Sequence, residues 1–109
     1  MAAYCVGQIR VKDAVAWEQY RRQVGATIAQ YGGEVLFRAA IERVVTGHGK
    51  HDSVVALRFT DIDAAKQWHD SPEYRALIPL RDQGADVTLV LYQEYTSDTK
   101  DIKDKREIA

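Results

Sequence analysis

A single cysteine, Cys5, stands in a chain of 109 residues, so no intramolecular disulfide can staple the fold. With 2 prolines, 7 glycines, 46% hydrophobic and 28% charged residues, the composition is neither collagen-like nor disordered, and the chain is expected to fold. No apolar run approaches the roughly 18 residues of a membrane span; the stretch Val87 to Tyr92 is short and holds Thr88. Positive charge is not in excess either, because 15 Lys plus Arg against 16 Asp plus Glu leave a net charge of -1. The field that gathers phosphate backbones is therefore missing, and neither a nucleic-acid nor a membrane partner is expected. The opening MAAYCVGQIRV lacks a basic stretch followed by a long apolar one, so the expected localisation is cytoplasmic.

Several chemical motifs are absent too. Gly47 and Gly49 do not extend to GxGxxG, and Gly49-Lys50 lacks both the earlier glycine and the following Ser or Thr of a phosphate loop. His48 and His51 share a turn without a third ligand of defined spacing, so no metal is expected. His69-Asp70-Ser71 are consecutive and point in different directions, which excludes a hydrolytic triad.

What is present is periodicity. Residues 3 to 11 form a short β-rich run. Asp13 can cap a helix over about 13 to 31, where Trp17, Tyr20, Val24, Ile28 and Tyr31 recur every three or four residues, and Gly32-Gly33 closes it. A second strand is expected over Glu34 to Thr46, with Val35, Phe37, Ala39 and Ile41 on one face and Leu36 and Arg38 on the other. The turn Gly47 to Asp52 then joins it to a third strand, Ser53 to Phe59, in an antiparallel hairpin. Asp61 caps a second helix carrying Ile62, Ala65 and Trp68; Ser71 and Pro72 interrupt and restart it, and Pro79 ends its buried stripe. Val87 to Tyr92 is the fourth strand.

The order βαββαβ predicts an α+β, ferredoxin-like domain over residues 1–96, an antiparallel four-stranded sheet with both helices on one face. Both parities of the strands are largely apolar, yet helices cover one face only, so a symmetric homodimer packed sheet against sheet is expected. Residues 97–109 form a charged tail, read as a frayed end or as a short helix docking on a partner subunit.

Tyr4-x-Val6, the aromatic helix start with Trp17 and Tyr20, Tyr31-Gly32-Gly33 and the string Trp68-His69-Asp70-Ser71-Pro72-Glu73-Tyr74-x-x-Leu77-Ile78-Pro79-x-Arg81 together resemble the family called domain of unknown function 1330. The resemblance spans about residues 4 to 95 and implies the dimeric α+β barrel superfamily. That superfamily includes haem-degrading and cofactor-independent monooxygenases. In the haem-degrading members a Trp is followed three helical turns later by an iron-ligating His; counting from Trp68, Leu77, Ile78 and Pro79 stand there instead, so no haem and no other cofactor is expected.

Candidate ligand-binding residues are Trp17, Tyr20, Trp68, Ser71, Tyr74 and Arg81, which can line an apolar cleft between helices and sheet with a few polar groups converging on it. Arg81 would clamp an anionic group such as a carboxylate on a small anionic or aromatic molecule, and Tyr74 or His69 would handle a proton. Against this stands a plainer reading in which Ser71 is only a cap, Tyr74 and the tryptophans are core, and Arg81 pairs with Asp82 or Asp86. Two functions follow: a cofactor-independent oxygenase or isomerase, or a dimeric ligand-binding or accessory module without chemistry.

Overall fold

β1 (Ala3–Val11) is a central strand, hydrogen-bonded to β3 (Ser53–Phe59) on one side and to β4 (Ala85–Gln93) on the other. β2 (Glu34–Ala40) pairs with the far edge of β3, which gives an antiparallel sheet in the order β2-β3-β1-β4. The computed structural model describes residues 1–95. The charged tail from Ser97 onward lies outside the described residues.

Local signals set the helices. α1 (Ala14–Gln30) begins where the Asp13 carboxylate accepts hydrogen bonds from the Val15 and Ala16 N–H groups, and it ends one residue short of the expected Tyr31. The chain reverses there through Gly32, whose φ of +77° no Cβ opposes. The second helical region is three pieces rather than two: α2 (Ile62–Asp70), α3 (Pro72–Arg75) and α4 (Ile78–Gly84). Pro79 starts α4 instead of ending a helix, because a missing N–H costs nothing in a first turn. The inward faces of these helices bury Tyr20, Val24, Ile28, Ala65, Trp68 and Tyr74 against Cys5, Ile9, Val55, Leu57 and Phe59.

β2 departs from expectation twice. It stops at Ala40, not Thr46, because Ala40 pairs with Ser53, the first residue of β3, and beyond it there is no strand left to bond to. Residues 41 to 52 instead form a loop closed by the Ile41 N–H donating to the Asp52 carbonyl at 2.9 Å. The second departure is a bulge: Val35 pairs with Leu57 but Phe37 with Ala56, so the alternation inverts past Leu36. Phe37 thereby moves to the outer face and Arg38 to the helix side, the reverse of the expected faces. β4 begins two residues earlier than expected, at Ala85, directly from the end of α4.

The same bulge aligns Phe37, Ala56, Val6 and Val90 in one row across all four strands on the uncovered face. Phe37 is 52% exposed, Val90 40% and Tyr92, in the adjoining row, 51%. This row is the apolar part of the second face, and the rows beside it hold the Arg58–Glu34 pair on one side and Gln8 and Thr88 on the other.

Cys5 lies on the opposite, helix-covered face and is fully buried, which pushes its thiol up to about 11. A thiol reagent such as Ellman's is therefore expected to leave the native protein untouched and to titrate one thiol per chain after denaturation. Rapid labelling of the native protein would contradict this packing.

Candidate functional site

The α1 stripe builds the roof of a cleft. Trp17 stacks on Tyr20 with ring centroids 4.9 Å apart and planes 23° from parallel. Beneath them lies the sheet row Arg38, Val55, Gly7 and Leu89, and Trp68 from α2 closes the inner wall. The enclosed space is about 20 Å³. It meets, at Ile9, Trp17 and Arg38, a wider mouth of about 220 Å³ that Arg21, Ser53 and Val54 complete.

Behind the cleft runs a chain of polar contacts that no single segment contains. Tyr74 is fully buried, and its hydroxyl lies 3.0 Å from the Tyr20 hydroxyl and accepts a hydrogen bond from Arg81 Nη1 at 3.0 Å. Arg81 Nε donates to the Asp82 carboxylate at 2.9 Å. Burial and the neighbouring Tyr74 push Tyr20 far above the usual tyrosine range, so it stays a neutral hydroxyl. Burial works against the Arg81 charge, but the hydrogen bonds to Asp82 and Tyr74 outweigh it and raise its pKa.

Of the candidate residues, Trp17, Tyr20 and Trp68 line the cleft, and Ser71, Tyr74 and Arg81 stand outside its walls. Ser71 caps α3: its hydroxyl donates to the Trp68 carbonyl at 2.6 Å and accepts from the Tyr74 N–H at 3.1 Å. The Trp68 indole N–H donates to Thr27 Oγ1 at 3.0 Å, and that hydroxyl donates to the Val24 carbonyl. His69 faces away, 41% exposed at the side chain, beside a separate groove that it shares with Cys5, Lys66 and Leu91. Its ring centroid is 5.2 Å from that of Tyr74, on the far side from the cleft lining. Among the described residues no three His, Cys, Asp or Glu side chains are placed to hold a metal ion.

Arg38 is the residue that strand alternation hides. In an otherwise apolar run it reads as a solvent-facing charge, and only the bulge turns it toward Tyr20. Burial, and then the nearby Arg21, lower its pKa, while Tyr20 acts in the other direction. Arg21 is paired with Glu18, but no carboxylate among the described residues pairs with Arg38. Arg38 sits on an exposed edge strand, so a negative group entering the cleft can reach its guanidinium.

A larger concavity, about 680 Å³, lies elsewhere, where Arg10, Lys12, Lys50 and His51 face Asp82 and Asp86. Asp86 pairs with Arg10 and Lys12, whose hydrogen bonds hold its carboxyl below the usual range. The groove is the more polar of the two, so the smaller, more apolar cleft is the candidate site.

An antiparallel sheet in the order β2-β3-β1-β4 with its helices on one face is the ferredoxin-like fold. The chain belongs to the family described as Domain of unknown function (DUF1330), which matches residues 2–95. Among solved structures it is similar to a protein of unknown function from Rhodopseudomonas palustris, at 18% identity over 87% of this chain and 83% of that one, with a TM-score of 0.74. SnoaB from Streptomyces nogalater, described as a cofactor-independent oxygenase, is similar at 16% identity over 88% and 95% of the two chains, TM-score 0.62. A dimeric protein of unknown function and ferredoxin-like fold from Bacteroides fragilis is similar at 11% identity over 85% and 96%, TM-score 0.50. None of the curated proteins is detectably similar.

Proposed function

We propose that the protein is a homodimer joined through its uncovered sheet faces, each subunit holding one small aromatic anion in the cleft between α1 and the sheet. Arg38 carries the ligand reading: it is a guanidinium that no carboxylate among the described residues pairs with, set at the meeting point of an aromatic chamber and its mouth. Size supports a single ring, since the mouth of about 220 Å³ falls below the roughly 300 Å³ at which drug-sized pockets begin. Trp17 supplies a ring face for it.

Calorimetric titration of the full chain with benzoate and with 4-nitrophenolate, against neutral nitrobenzene, tests this reading. At least one anion is expected to bind once per chain, nitrobenzene more weakly, and Arg38→Met to weaken the anion by about tenfold or more, as loss of a charge-assisted hydrogen bond does. No anion binding, or equal binding by Arg38→Met, would overturn it.

The dimer reading rests on the row Phe37, Ala56, Val6 and Val90, and the Bacteroides neighbour of the same fold is described as dimeric. Val90→Glu places two like charges at a symmetric sheet-to-sheet contact. Sedimentation is expected to show a dimer for the parent chain and a monomer for this variant. A parent chain that sediments as a monomer would contradict the pairing.

The Streptomyces neighbour's description favours a catalytic form of the same reading, cofactor-independent oxygenation, with isomerisation as its relative. Binding without turnover, as in an accessory module, is the second form. Oxygen uptake with hydroquinone separates them: uptake above the protein-free rate that Tyr20→Phe reduces supports the oxygenase, and saturable binding without uptake supports the module.

A further inference from the structure

The hydroxyl chain behind the cleft has a direction. Guanidinium groups only donate hydrogen bonds, so the Tyr74 oxygen accepts from Arg81 Nη1. The proton between Tyr74 and Tyr20 then has two possible owners. If Tyr20 donated, the Tyr74 proton would be left without an acceptor in a fully buried side chain, because among the described residues no other partner reaches that oxygen. With Tyr74 as donor to Tyr20, the Tyr20 proton is left for another acceptor, and Tyr20 is a residue that lines the cleft.

We infer that the deep end of the cleft is an oxyanion site, where the Tyr20 hydroxyl and the Arg38 guanidinium hold a phenol or enol oxygen of the ligand in its ionised form. Tyr74 and Arg81 are positioning residues that turn the Tyr20 proton toward that oxygen. The inference rests on the proposed ligand reading and narrows it. The deep space of about 20 Å³ admits one oxygen-sized group, since about 10–15 Å³ holds a water, and the paired oxygens of a carboxylate do not both fit. The groups facing Tyr20 are Trp17 on its own helix, Tyr74 from α3, Arg81 from α4 and Arg38 from β2. No carboxylate lines the chamber to repel a negative oxygen. Only an O–H bond is involved: the ligand enters as the anion, or enters neutral and gives its proton to water.

The test uses 4-nitrophenol, whose ionised form is coloured, titrated with pH in the free state and saturated with the full-length protein. The parent protein is expected to bind the phenolate about tenfold more tightly than the phenol, which appears as ionisation at lower pH when bound. Tyr20→Phe is expected to remove most of that preference. Tyr74→Phe, which keeps the buried ring, is expected to reduce it about twofold to threefold, an effect in line with hydrogen-bond polarisation and loss of a fixed proton direction. Circular dichroism verifies folding, and if Tyr20→Phe does not fold, Tyr74→Phe carries the test alone. A preference unchanged in the folded variants, or a bound probe that favours the neutral phenol, overturns the oxyanion site and leaves the cleft reading standing. Binding of neither form overturns the oxyanion site, and the cleft reading falls with it if benzoate does not bind either.

Discussion

Gly84→Ala is expected to cost the fold about 3 kcal/mol, at the upper end of what overpacking usually does. A Cβ at position 84 would lie 2.7 Å from the Trp17 backbone nitrogen, 2.8 Å from its Cα and 3.1 Å from its Cβ. Backbone atoms cannot rotate aside, so the start of α1 and the end of α4 would have to separate. They are tied together, because the Gly84 carbonyl accepts from the Lys12 N–H at 2.8 Å and from the Asp13 N–H at 3.0 Å. Moving α1 outward would weaken both bonds and displace Trp17 at the cleft mouth. Gly25→Ala is the matched control: nothing stands within 4 Å of a Cβ there, and the residue is helical. Alanine at 25 is expected to be neutral or to stabilise by about 0.5–1 kcal/mol. Urea unfolding of both variants at one protein concentration decides; a Gly84→Ala midpoint equal to that of the parent would contradict the close approach.

Trp68→Ala should be as damaging, at about 3–5 kcal/mol. The side chain is 1% exposed, its ring centroid lies 4.4 Å from that of Tyr74 and 5.5 Å from that of Phe59, and its N–H is bonded to Thr27. Truncation removes a large apolar surface and merges the space with the cleft, whose inner wall is lost. Thr27→Val isolates the polar part. It keeps the shape but leaves the buried indole N–H without its acceptor, an expected loss of about 1–3 kcal/mol. Thr27→Ser retains a hydroxyl and should lose less. Thermal unfolding followed by circular dichroism ranks the three; Thr27→Val as stable as the parent would show that the indole bond contributes nothing.

What the sequence made legible was local. Asp13, Asp61 and Ser71 cap helices because a short acidic or hydroxyl side chain reaches N–H groups two or three residues on, a relation contained within one turn. The alternation in β1 held from Ala3 to Ile9, the stretch paired on both sides, where the register is fixed twice. β2 has a neighbour on one side only, and there the reading failed. Neither where pairing ends nor where a residue is bulged out is written in the hydrophobic pattern, so Phe37 and Arg38 changed faces. The pairing of Tyr20 with Tyr74 joins residues 54 positions apart, a distance at which sequence spacing carries no information. Arg81 with Asp82 was open to a local reading because the two are adjacent, whereas its bond to Tyr74 depends on how α3 and α4 are set against each other.

A crystal structure with 4-bromophenol, located by the anomalous signal of its bromine, would test the assignment of the cleft most directly. The expected bromine position is in the mouth beside Trp17 and Arg21, with the phenol oxygen turned inward to Arg38 and Tyr20. A bromine in the groove of Arg10, Lys12 and His51, or on the sheet face at Phe37 and Val90, with the cleft empty, would contradict it.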